Sequence, residues 1–244
     1  MTAVLFPGGL PLEVLPHRAA RHDFGAWERE YIQMLVSTLR PDMTVYEIGA
    51  EQGEFGALAA SIVGSERVHL FEPSTTSWPN IKAVFDLNGL RPAATYHGFV
   101  GLDIGPFNPC VGAWPIAAVG DVRTGDADFY VATERPDIAS VSLDRWISDV
   151  GAPPDVVMID VEGAEVNVIA GAHQMLTTYR PIVFVSVHPP DFIGRFPAQP
   201  LGINVPNEAP GCQQEHLFRL FSAARYRAQW LHTDHESHWM FVPT

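Results

Sequence analysis

The residues best placed to do chemistry are Asp160 and Glu162, which follow the apolar run Val156-Val157-Met158-Ile159 and stand just before Gly163-Ala164-Glu165. The run reads as a parallel strand buried on both faces, and residues two apart on a strand point the same way. Two carboxylates aimed into one crevice repel each other unless a cation or a shared proton relieves them. The pair therefore suits a divalent metal, a general base or a clamp for substrate hydroxyls. Glu165 falls in the first turn of the next helix, where negative charge suits the dipole, and reads as a capping residue. The following apolar run, Val183-Phe184-Val185-Ser186-Val187, ends in His188. In a parallel sheet His188 lies beside the Asp160 strand, as a general base for a hydroxyl or as a metal ligand. Near the chain end His232, Asp234, His235, Glu236 and His238 form a second local group. Such a group is more often a polar exposed loop, but folded back over the sheet it adds His235 or Asp234 to the Asp160 site. The candidate metal set is Asp160, Glu162, His188 and His235, with Mg²⁺ as the hard cation that suits oxygen ligands.

A second block, Val45-Tyr46-Glu47-Ile48-Gly49-Ala50-Glu51-Gln52-Gly53-Glu54-Phe55-Gly56, passes from an apolar strand through a glycine-rich turn into a helical pattern. Glycine tolerates positive φ and has no Cβ, so a sharp turn at Gly49 lets a ligand approach bare backbone. Glu47, inside an apolar strand, needs a cationic or hydrogen-bonding partner; the sulfonium and amino group of S-adenosylmethionine supply one. The spacing Gly49-x-x-x-Gly53-x-x-Gly56 departs from the dinucleotide fingerprint G-x-G-x-x-G. Glu51 and Glu54 would also repel a pyrophosphate, so a cofactor without phosphate fits better. The alternative is a turn whose glycines serve packing alone. A further strand, Arg67–Phe71, ends at Glu72, 25 residues after Glu47. An acid at that point of a strand-helix-strand unit accepts hydrogen bonds from ribose hydroxyls; the alternative is a solvated Glu before Pro73. Together the two blocks mark a ligand that contains adenosine.

These residues need a framework, and the composition supplies one. The chain has 244 residues, 47% hydrophobic and 18% charged, enough for one sizeable core. A formal net charge of −13 repels phosphate backbones and anionic lipid, so neither nucleic acid nor membrane is an expected partner. Neutral or cationic small molecules and uncharged glycans remain. Cys110 and Cys212 are the only cysteines, which excludes a disulfide framework. No apolar run approaches a membrane span, and the first residues lack a basic region, so a cytoplasmic protein is expected. A homodimer is the oligomer kept open.

Along the chain, residues 1–20 read as an irregular arm, and 23–39 as an amphipathic helix carrying Phe24, Trp27, Tyr31, Leu35 and Leu39. Helices are expected at Phe55–Val63, Trp78–Leu87, a short one to which Ser140–Ile147 leads, Glu165–Thr178 and Gln213–Ala224. Strands are expected at Val45–Ile48, Arg67–Phe71, Ala94–Val100, Asp128–Ala132, Asp155–Val161 and Pro181–Val187. Arg227–His232 and Trp239–Val242 form a terminal antiparallel hairpin. A proline-rich stretch at 189–211 reads as a lid or insert. The alternation predicts an α/β fold with a mostly parallel sheet, divided into an arm and helix (1–40) and a single domain (41–244).

The order Glu47-x-Gly49-x-x-x-Gly53-x-Phe55, Phe71-Glu72-Pro73, Ser142-Leu143-Asp144, Ile159-Asp160-Val161-Glu162-Gly163-Ala164-Glu165 and Gly171-Ala172 resembles the FkbM-type S-adenosylmethionine-dependent O-methyltransferases over roughly residues 44–190. The resemblance implies a Rossmann-like seven-stranded sheet and a methyl acceptor that is a hydroxyl of a sugar, glycan or glycosylated natural product. It carries Glu47, Gly49, Gly53 and Phe55 to the cofactor turn, Glu72 to the ribose, and Asp160 and Glu162 to the acceptor side. Gln52 in the turn and Ser74 beside Glu72 complete the expected cofactor set, with His188, Asp160 and Glu162 as the catalytic set. Trp78, Trp114, Trp146, Trp230 and Trp239 are candidate stacking platforms for a sugar. An adenosine-binding module without catalysis and a nicotinamide-dependent oxidoreductase are the alternatives. The Asp160, Glu162 and His188 set argues against the first, and the absent dinucleotide fingerprint against the second.

Overall fold

Short apolar strands with both faces buried explain the centre of the molecule. The computed structural model describes residues 2–124, 139–188 and 212–244. Five strands run parallel: β3 (Val45–Ile48), β4 (Val68–Phe71), β5 (Ala94–Tyr96), β9 (Val156–Ile159) and β10 (Ile182–Val187). The whole sheet has the order β11-β12-β10-β9-β3-β4-β5-β7. Its edges are antiparallel: the two-residue β7 (Cys110–Val111) on one side, the hairpin of β11 (Tyr226–Thr233) and β12 (Ser237–Pro243) on the other. Among the described residues the sheet has eight strands, the small β7 included. The strand order reverses between β3 and β9, and such a switch point opens a crevice at the carboxyl ends of the strands.

Alternate residues of each strand enter opposite halves of the core. Val45 packs with helix α3 (Glu54–Val63) and helix α4 (Trp78–Leu87), while Tyr46 and Ile48 pack with Trp146 and helix α6 (Glu165–Ala170). Trp78 and Trp146 are fully buried, so each stabilises the core by about 2–3 kcal/mol. They are structural, not platforms for a sugar.

Four expectations change. Residues 1–20 are not irregular: β1 (Thr2–Phe6) and β2 (Leu10–Val14) form a hairpin, followed by helix α1 (Pro16–Arg21). The interruption at Pro7-Gly8-Gly9 is its turn, with positive φ at both glycines. The helix expected at 23–39 begins only at α2 (Arg29–Thr38), because Asp23 closes a turn that accepts from the Ala26 and Trp27 amides and Glu28 is left-handed at φ 45°. The strand expected at 94–100 divides at Gly98. Its second part, β6 (Phe99–Val100), leaves the sheet to pair with β8 (Ser140–Val141). The helix expected at 165–178 breaks at Gly171, where a Cβ would lie 2.0 Å from the Gly101 carbonyl oxygen. Asp144, in helix α5 (Leu143–Val150), then accepts from the amides of Gln174 and Met175 and starts a π-helical turn at Met175–Tyr179. Those contacts give Asp144 and Gly171 a shared structural role.

The expected strand at 128–132 and the proline-rich stretch 189–211 lie outside the described residues. Helix α7 (Cys212–Ala223) leads into the last hairpin. Among the described residues no helix is long and apolar enough to cross a membrane.

Candidate active site

The glycine-rich turn at the end of β3 is built by close approach of protein to protein. A Cβ on Gly49 would lie 1.7 Å from the Asp160 carbonyl oxygen, one on Gly53 2.9 Å from the Ile81 Cα, and one on Gly56 2.2 Å from Glu47 Oε2. The missing side chains therefore admit β9, α4 and a buried carboxylate, rather than exposing backbone to a ligand as expected. The cleft itself opens beside them. Trp27, Tyr31, Glu47, Gly49, Phe55 and Asp160 are among the residues that line it. Trp27 stacks on Phe55 with ring centroids 5.0 Å apart. The N-terminal segment thus forms one wall.

Carboxylates dominate the floor. Glu47 Oε2 is buried and makes no hydrogen bond among the described residues. Burial, then Glu54, Glu72 and Glu51, drive the Glu47 carboxyl well above the usual range, while the Gly56 amide opposes them. Glu72 stands outside the cleft lining and accepts from the amides of Ser74 at 2.7 Å and of the lining residue Glu51 at 3.0 Å. Burial still lifts its pKa to about 7. Glu51 is lifted to about 8 by burial, with Arg18 pulling it down. Arg18, buried in α1, reaches Glu54 at 2.7 Å and Glu51 at 3.7 Å. A floor of this kind favours a ligand that brings positive charge.

At the end of β10, His188 collects four carboxylates from three separate segments. Its Nδ1 lies 2.7 Å from Glu165 Oε1, and its Nε2 lies 2.8 Å from Glu236, 3.3 Å from Glu162 and 3.8 Å from Asp160. The segment after β9 turns sharply, with φ of 54° at Glu162 and 96° at Gly163. Asp160 and Glu162 converge through that turn and not through strand alternation, since β9 ends at Ile159. Glu165 also accepts from the Gly163 amide at 3.0 Å. Glu236 arrives by register: Val187 pairs with Ser237 across β10 and β12, which sets residue 236 opposite His188. Burial alone would lower the His188 pKa, but hydrogen bonds with Glu162, Glu165 and Glu236 outweigh it and keep the ring protonated. In this arrangement the surrounding acids favour the imidazolium form of His188 over the free base. Asp160 is raised, first by burial and then by Glu236, with His188 opposing; 38% of its side chain remains exposed. A carboxylate so raised and still reachable can take up a proton.

The Methyltransferase FkbM domain model matches residues 47–228. This chain belongs to the FkbM methyltransferase family. Membership implies S-adenosylmethionine as the methyl donor, and the buried, unsatisfied Glu47 oxygen fits a cofactor that carries positive charge. The FkbM methyltransferase of Methylobacillus flagellatus is 14% identical, with a TM-score of 0.51 over 93% of this chain and 48% of that one. The chain therefore spans about half the length of that relative. A ribosomal protein L11 methylase from Lactobacillus delbrueckii subsp. bulgaricus is 12% identical, with a TM-score of 0.49 over 89% of this chain and 78% of that one. No protein of curated function matches the sequence. The shared fold is the α/β methyltransferase sheet.

Within this FkbM domain, the expected site residues fall into separate places. Glu47, Gly49, Phe55 and Asp160 line the cleft together. Gln52 does not: it is buried, and its Oε1 accepts from Asn80 Nδ2 at 2.6 Å, packing the turn against α4. Gly53 likewise serves α4. Ser74 supports Glu72 through its amide, and its hydroxyl meets Thr76. His235 is 68% exposed on its side chain and pairs with Asp234 at 3.0 Å, so Glu236 stands beside His188 where His235 was expected. Trp27 and Tyr31 were expected only on the buried face of a helix, and nothing in the sequence assigned a role to Arg18 or Glu28. The sequence reading gave Glu165 to helix capping, although Glu165 orients His188. The acid three residues past Glu162 was the available signal.

Proposed function

We propose that this domain transfers a methyl group from S-adenosylmethionine to a hydroxyl of a neutral acceptor, a sugar, glycan or glycosylated natural product. The observation that carries the reading is the convergence of Asp160, Glu162, Glu165 and Glu236 on His188, next to the cleft floored by Glu47. The bound cofactor would supply an electrophilic methyl on a sulfonium. Glu47 would face its positive charge, and Glu72 the ribose hydroxyls. The protein's further task is to align an acceptor oxygen and remove its proton. Asp160 is the base in this reading, being raised and reachable. His188, fixed by Glu165 and Glu236, balances the charge of Asp160 and Glu162, and either acid can clamp an acceptor hydroxyl. The acidic walls disfavour phosphorylated acceptors.

Assistance by Mg²⁺ is the second reading, because donor atoms of Asp160, Glu162 and His188 lie within 4.8 Å of one another. Mg²⁺ prefers oxygen donors, and His188 Nε2 already faces Glu236 at 2.8 Å, so direct proton transfer to Asp160 is favoured. Calorimetry with S-adenosylmethionine, S-adenosylhomocysteine and NAD, with and without Mg²⁺, tests the donor. Radiolabelled methyl transfer to plain and partly methylated sugars tests the acceptor. Failure of both S-adenosylmethionine and S-adenosylhomocysteine to bind would refute the reading, and tight binding of NAD would replace it.

A further inference from the structure

Behind the His188 group lies a second set of donors that methyl transfer does not use. A carboxylate oxygen of Glu28, one of Glu236 and a ring nitrogen of His238 lie within 4.8 Å of one another. Glu28 is 5% exposed, Glu236 4% and His238 0%. Buried groups of this kind take partners, yet Glu28 Oε2 and His238 Nε2 make no hydrogen bond among the described residues. The other ring nitrogen, Nδ1, meets Ser186 Oγ at 3.0 Å. That contact fixes the ring and turns Nε2 toward the acids, 3.5 Å from Asp234 Oδ1 and 3.8 Å from Glu236 Oε1. These separations exceed an N–H···O bond, about 2.7–3.2 Å. They approach the spacing of donors arranged around one ion, since metal–donor bonds of about 2.1 Å hold neighbouring donors about 3.0–3.5 Å apart.

We propose that Glu28, Glu236 and His238 bind one divalent transition-metal ion, of the Zn²⁺ or Mn²⁺ kind, through His238 Nε2 and one oxygen of each carboxylate. The imidazole nitrogen selects such ions over Mg²⁺ or Ca²⁺. Two carboxylates balance a dication. The Nδ1 contact with Ser186 is the second-shell bond that orients a ligating histidine. All three donors lie outside the 47–228 match. They come from the N-terminal segment and the last hairpin, so the ion ties the start of α2 to the β11–β12 turn. Glu236 also touches His188, so the ion holds one wall of the candidate active site in place. The inference does not depend on the methyl-transfer reading.

The test uses the full chain. Mass spectrometry of metals measures what co-purifies, and protein stripped with EDTA is then titrated with Zn²⁺ and Mn²⁺ by calorimetry. One equivalent should bind, with the melting temperature rising by about 5 °C or more. Glu28→Gln keeps the shape of the side chain and should weaken binding about 100-fold, as should His238→Gln. Asp160→Asn should change it less than about threefold. With Co²⁺ as probe, His238→Gln should alter the visible absorption, which loss of a merely structural histidine would not. Circular dichroism confirms that the variants fold. Absence of stoichiometric binding overturns the proposal. So does an ion lost with Asp160→Asn but kept with Glu28→Gln, which would place it on Asp160, Glu162 and His188. Ion binding without S-adenosylmethionine binding would sink the methyl-transfer reading and leave the metal site standing.

Discussion

Cofactor affinity should rise with pH, and Glu72 sets where. Its carboxyl is 7% exposed, and burial lifts its pKa to about 7 despite two amide hydrogen bonds. An ionised carboxylate accepts from both ribose hydroxyls, whereas a protonated one loses an acceptor site. If only the ionised form binds well, affinity follows the ionised fraction. That fraction is about one-tenth at pH 6 and about nine-tenths at pH 8, so Kd should fall about tenfold, about 1.4 kcal/mol. The sign is that of a raised acid: binding is weakened below pH 7 and levels off above pH 8. Glu51, lifted to about 8, adds to the slope at the upper end. The cofactor's own α-amino group titrates near pH 8, so the wild-type curve alone does not isolate Glu72. Calorimetry should be run from pH 6 to 8 on the wild type and on Glu72→Gln. The variant should bind more weakly and lose about one decade of the pH dependence. Parallel curves for the two proteins would refute the assignment of Glu72 to the ribose.

Three further outcomes are expected. Asp160→Ala should lower turnover by about 100-fold or more while S-adenosylmethionine binding stays within about threefold; full activity would remove Asp160 from the chemistry. Gly49→Ala sets a methyl 1.7 Å from the Asp160 carbonyl oxygen at φ +87°, and should destabilise the fold by about 3 kcal/mol or more in urea unfolding. A loss under about 1 kcal/mol would show that β3 and β9 separate easily. His69 is buried and accepts from Trp146 Nε1 at 3.1 Å, and burial lowers its pKa to about 4. A depressed histidine stabilises the fold above its unfolded pKa of about 6.5, and that contribution is lost as pH falls toward 4. Between pH 7 and 5 the wild type should lose about 2 kcal/mol more than His69→Gln; equal losses would show that His69 is protonated inside the fold.

The parallel strands were legible because burial on both faces leaves uninterrupted apolar runs, and the acids that end β3, β4 and β9 stand out against them. Asp160 and His188 could be paired because neighbouring parallel strands bring their carboxyl ends together. Glu236 could not be chosen over His235 from sequence. Both sit in one turn, and only the register of β12 against β10 decides which side chain meets His188. Glu165 hides for another reason: a helix first turn rewards an acid whether or not a histidine faces it. Arg18 and Glu28 belong to a segment whose prolines and glycines resemble a loop, and its hairpin becomes meaningful only once it packs on α3 and α4. The glycines were seen, but their cause was not: Gly49 and Gly53 make room for residues remote in sequence, and Gly56 for the Glu47 carboxylate folded back from β3.

The docking of β12 against β10 has a consequence for the timing of synthesis. His188 and its partner Glu236 are separated by 48 residues, which a ribosome translates in about 2–10 s. During that interval the newborn chain has Asp160, Glu162 and Glu165 to surround His188, but not the acid that the hairpin brings. The His188 cluster is completed late in translation, after the strands that carry most of it have been made, so a nascent chain stalled before residue 236 would lack one of the four acids around His188.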